Sequence, residues 1–454
     1  MEVAGNHVQS CRTELPEPQK PLVDDDGRPL RTGTLWTASA HIITAVIGSG
    51  VLSLAWGVAQ LGWAGGPAAM VLFAAVIYYT STLLAECYRC GDPTFGPRNR
   101  TYIDAVRATL GDSKERLCGA IQLSNLFGIG IGVSIAASVS MQAIRRAGCF
   151  HYRGHEDPCH ASTSPYIAVF GVMQIVFSQI PDLDKVWWLS TVAAIMSFSY
   201  STIGILLGVV QIVEHGGPRG SLAGVIGAGA RVTMMQKDTI KSPPPSEAKV
   251  MKKATAVSVA VTTVIYLLCG CVGYAAFGGA APDNLLTGFG FYEPFWLLDV
   301  ANAFVVVHLV GTYQVMSQPV FAYVERRAAA AWPGSALVRD RHVRVGRAVA
   351  FSVSPARLAW RTAYVCVTTA VAMLLPFFGS VVGLIGAASF WPLTVYFPVE
   401  MYIAQHRVAR GSMRWLLLQG LSAGCLVVSV AAAAGSIAGV VEDLKAHNPF
   451  CWSC

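Results

Sequence analysis

Six long stretches of the sequence contain no Asp, Glu, Lys or Arg, and they constrain the fold more than any other feature. They are residues 32–85, 117–144, 186–213, 254–281, 362–399 and 415–441. About 20 apolar residues cross a bilayer core of roughly 30 Å, so four of these stretches hold one membrane span and two hold two. Only 13% of the residues are charged and 54% are hydrophobic, a balance that excludes a soluble domain. The sequence therefore predicts an all-α, polytopic membrane protein.

Turn signals divide the two double stretches, at "GWAGGP" (62–67) and "LLPFFG" (374–379). Ten spans are predicted: 35–57, 67–87, 117–144, 165–180, 186–213, 254–277, 294–324, 362–375, 379–401 and 415–441. Residues 1–33 are rich in acids, bases and prolines, which favours a disordered cytosolic tail rather than a signal peptide. Residues 34–444 then form the transmembrane domain, and 445–454 form a second short tail.

The positive residues indicate that one span is missing. The net charge of +7 comes from the loops and does not point to nucleic acid. With the tail inside, ten spans leave 12 Lys and Arg inside and 21 outside, although these residues normally concentrate in the cytosol. One more crossing between His215 and Lys249 would correct the imbalance. The best candidate there, "SLAGVIGAGARVTMM", is too short and contains Arg231.

The first span carries Gly48, Ser49 and Gly50 in its middle. Many transporters are inverted five-helix repeats whose leading helices are both broken, and the N–H groups freed at such a break can hold a carboxylate. The second broken helix would follow the fifth span, where the charge count indicates a missing crossing. The alternative is that these small residues only allow a close crossing of two helices.

Three strings resemble the plant amino acid permeases of the amino acid/auxin permease family: "IGSGVLSLAWGVAQLGW", "NLLTGFGFYEPFWLLDVANAFVVVHLVGTYQV" and "SPPPSEAKVMKKAT". The resemblance implies a LeuT-like inverted-repeat bundle of eleven spans, a cytosolic amino terminus, and proton-coupled import of amino acids across the plasma membrane. Where the family has a sixth helix with an "AFAYS"-like unwound centre, this sequence passes from "MMQ" directly to "KDTIKSPP". The predicted gap lies near 213–249.

The candidate substrate-binding residues are Ile47, Gly48, Ser49 and Gly50 at the break, with Asn125 in the third span. Asn125 has an alternative role as a contact between helices. The candidates for carrying the coupled proton are His41 and His308, because an imidazole can load and release a proton near neutral pH. The alternative for each histidine is a neutral ring bonded to a neighbouring carbonyl.

Asp299, Glu86 and Glu400 lie near the ends of spans. Each can meet water or cap its helix there, so a solvated role is favoured over a part in proton coupling.

Cys149 and Cys159 share the polar loop "GCFHYRGHEDPCH", which the span count places outside the cell, and we expect a disulfide between them. The alternative is a metal site with His151, His155 and His160, but the spacing matches no zinc pattern. The sequence has no ATP-binding GxxxxGK[ST] loop and no HExxH or GxSxG motif, so neither an ATPase nor another enzyme is predicted. No metal or cofactor is expected.

Two functions remain open. The first is a proton-driven amino-acid symporter whose partners are amino acids, protons and the lipid bilayer. The second is a truncated permease variant that folds without transporting, or that regulates a full-length relative.

Overall fold

The computed structural model is almost entirely helical over the residues that it describes. These are residues 31, 33–91, 96–99, 101–154, 159, 162–180, 187–215, 246–289, 295–339, 341–345 and 349–446. Thirteen α-helices occur among them: α1 Leu35–Val46, α2 Leu54–Glu86, α3 Tyr102–Leu110, α4 Asp112–Arg153, α5 Ser164–Ser178, α6 Trp187–His215, α7 Glu247–Phe277, α8 Leu285–Gly288, α9 Phe295–Ala331, α10 Pro355–Leu374, α11 Phe378–Ser389, α12 Phe397–Gln405 and α13 Met413–Ala446. A 3₁₀ turn, Ser49–Ser53, joins α1 to α2, and a π-helical turn, Phe390–Tyr396, joins α11 to α12.

Within the described ranges, seven helical stretches are long and apolar enough to cross a membrane, and α1 and α5 are shorter apolar helices. All ten predicted spans fall on helices, so the predicted all-helical fold class is confirmed. The structure adds one antiparallel hairpin, β1 Arg341–Val345 with β2 Val349–Val353, between α9 and α10. A search for apolar runs of helical length does not detect strands of five residues.

Helix α2 reverses direction at Gly62 and so supplies parts of two crossings. Gly62 has φ 69° and ψ 178°, a left-handed conformation that favours glycine. A Cβ placed on Gly66 would lie 2.9 Å from Cγ1 of Val58, although residues eight apart in a straight helix are about 12 Å apart. The chain therefore folds back on itself at Gly62. The first crossing runs through α1, the 3₁₀ turn and the first part of α2.

Ion pairs join several chain segments at one end of the bundle, which we call the tail end. Nη2 of Arg31 lies 3.4 Å from Oε1 of Glu247 at the start of α7. Nε2 of His406, which follows α12, lies 3.1 Å from Oε2 of Glu86 at the end of α2. Glu86 also pairs with Lys252 near the start of α7, so α2 and α12 finish at the end where α1 and α7 begin.

The opposite end of the bundle, the far end, holds the last turns of α4 and α13. Cys149 of α4 forms a disulfide with Cys159, with the two Cα atoms 6.0 Å apart. Ser380 at the start of α11 donates a hydrogen bond of 2.7 Å to Oδ2 of Asp443 in α13. The described chain thus begins at the tail end and finishes at the far end.

Helices α6 and α7 run parallel. A Cβ on Gly208, late in α6, would lie 2.6 Å from Cγ1 of Val272, late in α7, so both helices finish at the far end. Ten successive crossings would make α6 and α7 antiparallel and would invert the second half of the bundle. The observed second half is not inverted in this way. Among the described residues, the positive side chains at the end of α9, at the start of α10 and between α12 and α13 lie at the tail end, together with Arg31. Residues 216–245, which cover most of the region where we predict the missing helix, lie outside the described residues.

The first crossing passes through the largest buried apolar cluster of the described residues. Ile47, Val51, Leu52 and Ala55 belong to it, and each is at most 1% exposed. The cluster also includes side chains from α4, α5, α6, α7, α9, α10 and α11. The break in α1 is therefore surrounded by the bundle and does not lie at its surface.

We expect Gly273→Val to destabilise the protein by about 1–3 kcal/mol, the usual cost of overpacking a core. A Cβ at Gly273 of α7 would lie 2.5 Å from Cβ of Ala55 and 2.8 Å from Cδ1 of Leu285. The matched control is Gly424→Val in α13, where a Cβ would meet no described heavy atom within 4 Å. Thermal unfolding of the purified protein in detergent measures both variants, and equal melting temperatures would contradict the close packing of α7 on α2.

Candidate functional site

The helix of the first crossing is interrupted at Ile47 and Gly48. Ile47 has φ −76° and ψ 78°, and Gly48 is extended, with φ −102° and ψ −170°. The N–H of Gly48 reaches the carbonyl of Val46 at 2.9 Å, and the first bond of the following turn joins the N–H of Val51 to the Gly48 carbonyl at 3.1 Å. The interruption therefore falls within the predicted segment 47–50.

Hydroxyl groups from two other helices bind the carbonyls released at the break. Tyr266 of α7 donates to the carbonyl of Val46 at 2.5 Å. Ser197 and Tyr200 of α6 reach the carbonyl of Ile47 at 3.0 and 3.4 Å. A buried carbonyl without a partner costs free energy, so these hydroxyls stabilise the interrupted backbone.

His308 of α9 is fully buried and lies next to these hydroxyls. Its Nδ1 atom is 2.9 Å from Oγ of Ser197 and 3.0 Å from the carbonyl oxygen of Ala193. Its Nε2 atom is 3.0 Å from Oγ1 of Thr312, one turn further along α9. Because Ser197 also contacts the carbonyl of Ile47, one hydroxyl joins the imidazole to the break.

The two sides of the break offer opposite partial charges. The N–H groups of Ser49 and Gly50 precede the first hydrogen bond of the 3₁₀ turn, and such groups at the start of a helix bind anions. The carbonyls of Val46 and Ile47 are on the other side, and each already accepts two hydrogen bonds. The break therefore has backbone N–H groups on one side and carbonyl oxygens on the other.

The structure places the two candidate histidines in different surroundings. His41 is on α1 with an exposed side chain, whereas His308 is fully buried. Only His308 is described in contact with a residue that binds the break. The proton-carrying roles of both histidines remain predictions.

Asn125 is half-buried on α4. No hydrogen bond among the described residues joins its side chain to the break. Gly128, one turn later, would place a Cβ 2.9 Å from Cγ1 of Ile385 in α11, so this part of α4 packs closely on a neighbouring helix.

The carboxylates near helix ends have varied surroundings. Glu86 pairs with Lys252 and His406 at the tail end, and Glu400 accepts a hydrogen bond of 2.7 Å from Gln419 of α13. Oδ1 of Asp299 in α9 is buried without a hydrogen-bond partner among the described atoms.

The described cysteines outside the disulfide belong to no candidate metal site. Among the described residues, no group of three or more His, Cys, Asp or Glu side chains is arranged to hold a metal ion; His155 and His160 lie outside those residues. Cys87 follows α2 at the tail end and is buried.

Sequence reasoning missed four residues around the break and His308: Ser197, Tyr200, Tyr266 and Thr312. The available signal was spacing, because Thr312 follows His308 by four residues and Ser197 precedes Tyr200 by three, which puts each pair on one helix face. The run "SFSYS" in an otherwise apolar span was a second signal.

Arg89 and Glu247 form a buried ion pair at the tail end of the bundle. Arg89, after α2, donates to Glu247 of α7 through Nη2 at 2.6 Å and through Nε at 3.3 Å, and each side chain is 3% exposed. A third bond of 2.8 Å joins Nη1 of Arg89 to the carbonyl of Gly96. The start of α7 is thereby attached to the loop that follows α2.

Comparisons with known proteins agree over nearly the whole chain. The sequence profile of the family "Transmembrane amino acid transporter protein" matches residues 31–223 and 228–442. Amino acid permease 3 of Arabidopsis thaliana is 55% identical over 473 aligned positions, with 98% of each chain covered. Amino acid permease 2 of the same plant is 56% identical, covering 96% of this chain and 93% of the relative.

A solved structure, that of MhsT in complex with L-phenylalanine, has the same LeuT-like fold. It superposes with a TM-score of 0.55 and 11% sequence identity, covering 90% of this chain and all of the other.

Proposed function

Because the chain belongs to the family of transmembrane amino acid transporter proteins, we propose that it imports amino acids together with protons across the plasma membrane. The observation that carries this proposal is the buried interruption of the first crossing at Ile47 and Gly48, with His308 one hydroxyl away from it. Members of the family are transporters rather than enzymes.

The proposed substrate site uses both sides of the break. The amino acid's carboxylate binds the N–H groups of Ser49 and Gly50, and its ammonium group takes the place of a hydroxyl donor at the carbonyl of Val46 or Ile47. Asn125 stays a secondary candidate for the substrate. L-phenylalanine in the MhsT complex and the amino acid permeases of Arabidopsis thaliana support an amino acid as the substrate class.

The proposed driving force is the proton gradient. His308 is the first candidate for carrying the proton because it contacts Ser197, and His41 is the second. The tail end is proposed to face the cytosol, since the positive side chains at the end of α9, at the start of α10 and between α12 and α13 lie there with Arg31. No resident cofactor takes part in this proposal.

One observation favours the second candidate, a truncated variant without transport. The alignment with amino acid permease 3 extends over 473 positions although this chain has 454 residues, so part of that relative faces a gap. The family match is divided between residues 223 and 228, after the parallel helix α6. If an absent helix supplied three backbone bonds of about 1 kcal/mol each, affinity for an amino acid would fall more than about a hundredfold.

Uptake of a labelled amino acid by a transport-deficient cell separates the two candidates. One cell line expresses the chain, and another expresses a chimaera in which the matching segment of amino acid permease 3 replaces residues 216–245. Uptake is measured at pH 5.5 and 7.5 and normalised to surface protein. Acid-stimulated uptake by the chain itself supports the symporter. Uptake by the chimaera alone supports the truncated variant. An absence of uptake in both, with normal surface levels, would contradict both candidates.

A further inference from the structure

We propose that Ser197 is a positioning residue that couples the protonation of His308 to the hydrogen bond at the Ile47 carbonyl. The proposal rests on the proposed function only in taking His308 as the group that gains and loses the proton. What changes with the protonation of His308 is the acceptor to which the Ser197 hydroxyl donates its hydrogen. Ser197 would thereby transmit the state of the imidazole to the interrupted helix.

Ser197 has one hydrogen to donate and three acceptors within reach. The carbonyl of Ala193, one turn earlier in α6, is 2.9 Å from Oγ, the carbonyl of Ile47 is 3.0 Å away, and Nδ1 of His308 is 2.9 Å away. Ser197 is 0% exposed, so its hydroxyl donates its one hydrogen to one of these three acceptors and not to bulk water.

Thr312 decides which ring nitrogen carries the hydrogen of the neutral imidazole. Its hydroxyl lies 3.0 Å from the carbonyl of His308 in the same helix and 3.0 Å from Nε2 of the ring. The proposal assigns the hydroxyl hydrogen of Thr312 to the His308 carbonyl, so that its oxygen accepts from Nε2–H. Neutral His308 therefore has an unprotonated Nδ1 atom.

The charged imidazole satisfies every one of these contacts. Its Nδ1–H donates to the carbonyl of Ala193 at 3.0 Å, and its Nε2–H donates to Thr312. Ser197 is then free to donate to the carbonyl of Ile47. Proton loading of His308 thus completes the hydrogen bonding of the break.

The neutral imidazole reverses the direction of the Ser197 hydrogen. Nδ1 and the Ala193 carbonyl are then two acceptors 3.0 Å apart, an arrangement that needs a donor between or beside them. Ser197 supplies it by turning its hydrogen to Nδ1, and the carbonyl of Ile47 keeps only the longer contact of 3.4 Å from Tyr200. Release of the proton therefore weakens the bonding at the break.

The described groups that contact the His308 ring are neutral. Among the described contacts of the ring, those from α6 are with Ala193, Ser197 and Tyr200, whose ring centroid is 5.8 Å away, and the one from α9 is with Thr312. Tyr266 of α7 approaches the break at Val46. The two tyrosines are the titratable side chains among these residues, and both are uncharged at physiological pH.

The first test uses ¹⁵N-histidine NMR of the full purified chain in lipid nanodiscs, with the His308 signals assigned by His308→Gln. We expect neutral His308 to be the Nε2–H tautomer. In Ser197→Ala, we expect the Nδ1 resonance to shift toward that of an acceptor without a donor. The control is Ser199→Ala, which removes the hydroxyl of a half-buried serine, bonded to the Ile195 carbonyl at 2.8 Å on the same helix. An Nδ1–H tautomer, or equal spectra in both variants, would overturn the proposal.

The second test follows transport. Where the parent chain shows acid-stimulated uptake, we expect its ratio between pH 5.5 and 7.5 to fall to about one in Ser197→Ala, to stay unchanged in Ser199→Ala, and to return in Ser197→Thr. An unchanged ratio in Ser197→Ala refutes the coupling role. If Ser197→Thr does not fold, the two alanine variants decide alone. If the parent chain shows no uptake, the proposed function fails, and the NMR result still decides the role of Ser197.

Discussion

Replacing Glu247 with alanine is expected to destabilise the protein by about 3–5 kcal/mol, because the substitution leaves a buried guanidinium without its carboxylate. Arg89 and Glu247 are each 3% exposed, and their shortest N–O distance is 2.6 Å. Nη2 of Arg31 is also within 3.4 Å of the same carboxylate. The loss is measured as a lowered melting temperature of the purified protein and as reduced surface expression.

The control is Glu442→Ala, which removes an exposed acid from the last turns of α13. A double replacement, Arg89→Met with Glu247→Met, separates the cost of the orphaned charge from the value of the pair, since apolar side chains often substitute for a buried pair at little cost. We expect the double variant to be more stable than Glu247→Ala. A Glu247→Ala protein that melts with the parent would show that the pair does not hold α7 to the loop after α2.

Replacing His308 with leucine is expected to lower amino-acid uptake at acidic pH by about tenfold or more, and to remove its acid stimulation. Three polar groups lose a partner: the Ala193 carbonyl and the hydroxyls of Ser197 and Thr312. The variant also has no imidazole to load with a proton, and a tenfold change in uptake corresponds to about 1.4 kcal/mol. Uptake is measured at pH 5.5 and 7.5 and normalised to surface protein.

The matched comparison is His41→Leu, which replaces an exposed imidazole in α1. We expect a smaller loss there, because that side chain is exposed. His308→Gln keeps a polar group in the pocket and distinguishes a folding defect from lost coupling, since a folded protein with pH-independent uptake is the expected result. Acid stimulation that survives in both His308 variants would assign the proton to another residue.

The helices were predictable because membrane burial depends on long runs of one residue class, which the sequence displays directly. The loop charges also contained a real signal, since the excess of positive residues outside in a ten-span count corresponds to the parallel arrangement of α6 and α7. The hairpin at 341–353 was not predictable from the same runs, because its strands are only five residues long.

The surroundings of the break could be predicted only in part. "GSG" coincides with the interruption, but the hydroxyl partners of the break come from α6 and α7. A serine or tyrosine in an apolar helix can bond its own helix or a neighbour, and the sequence does not distinguish these outcomes. The contact of Arg89 with Glu247 joins residues 158 positions apart, and no local pattern identifies such a pair.

The reversal at Gly62 determines which part of the first crossing can swing. The segments on either side of Gly62 are in close contact at Val58 and Gly66, so we expect the hairpin from Leu54 to Glu86 to move as one rigid body. Relative movement is then left to the short half-helix α1, hinged at Ile47. Helix α1 is attached to α7 by hydrogen bonds through the hydroxyls of Ser39 and Ser258, at 3.4 and 3.2 Å, and beside the hinge by the hydroxyl of Tyr266 on the carbonyl of Val46.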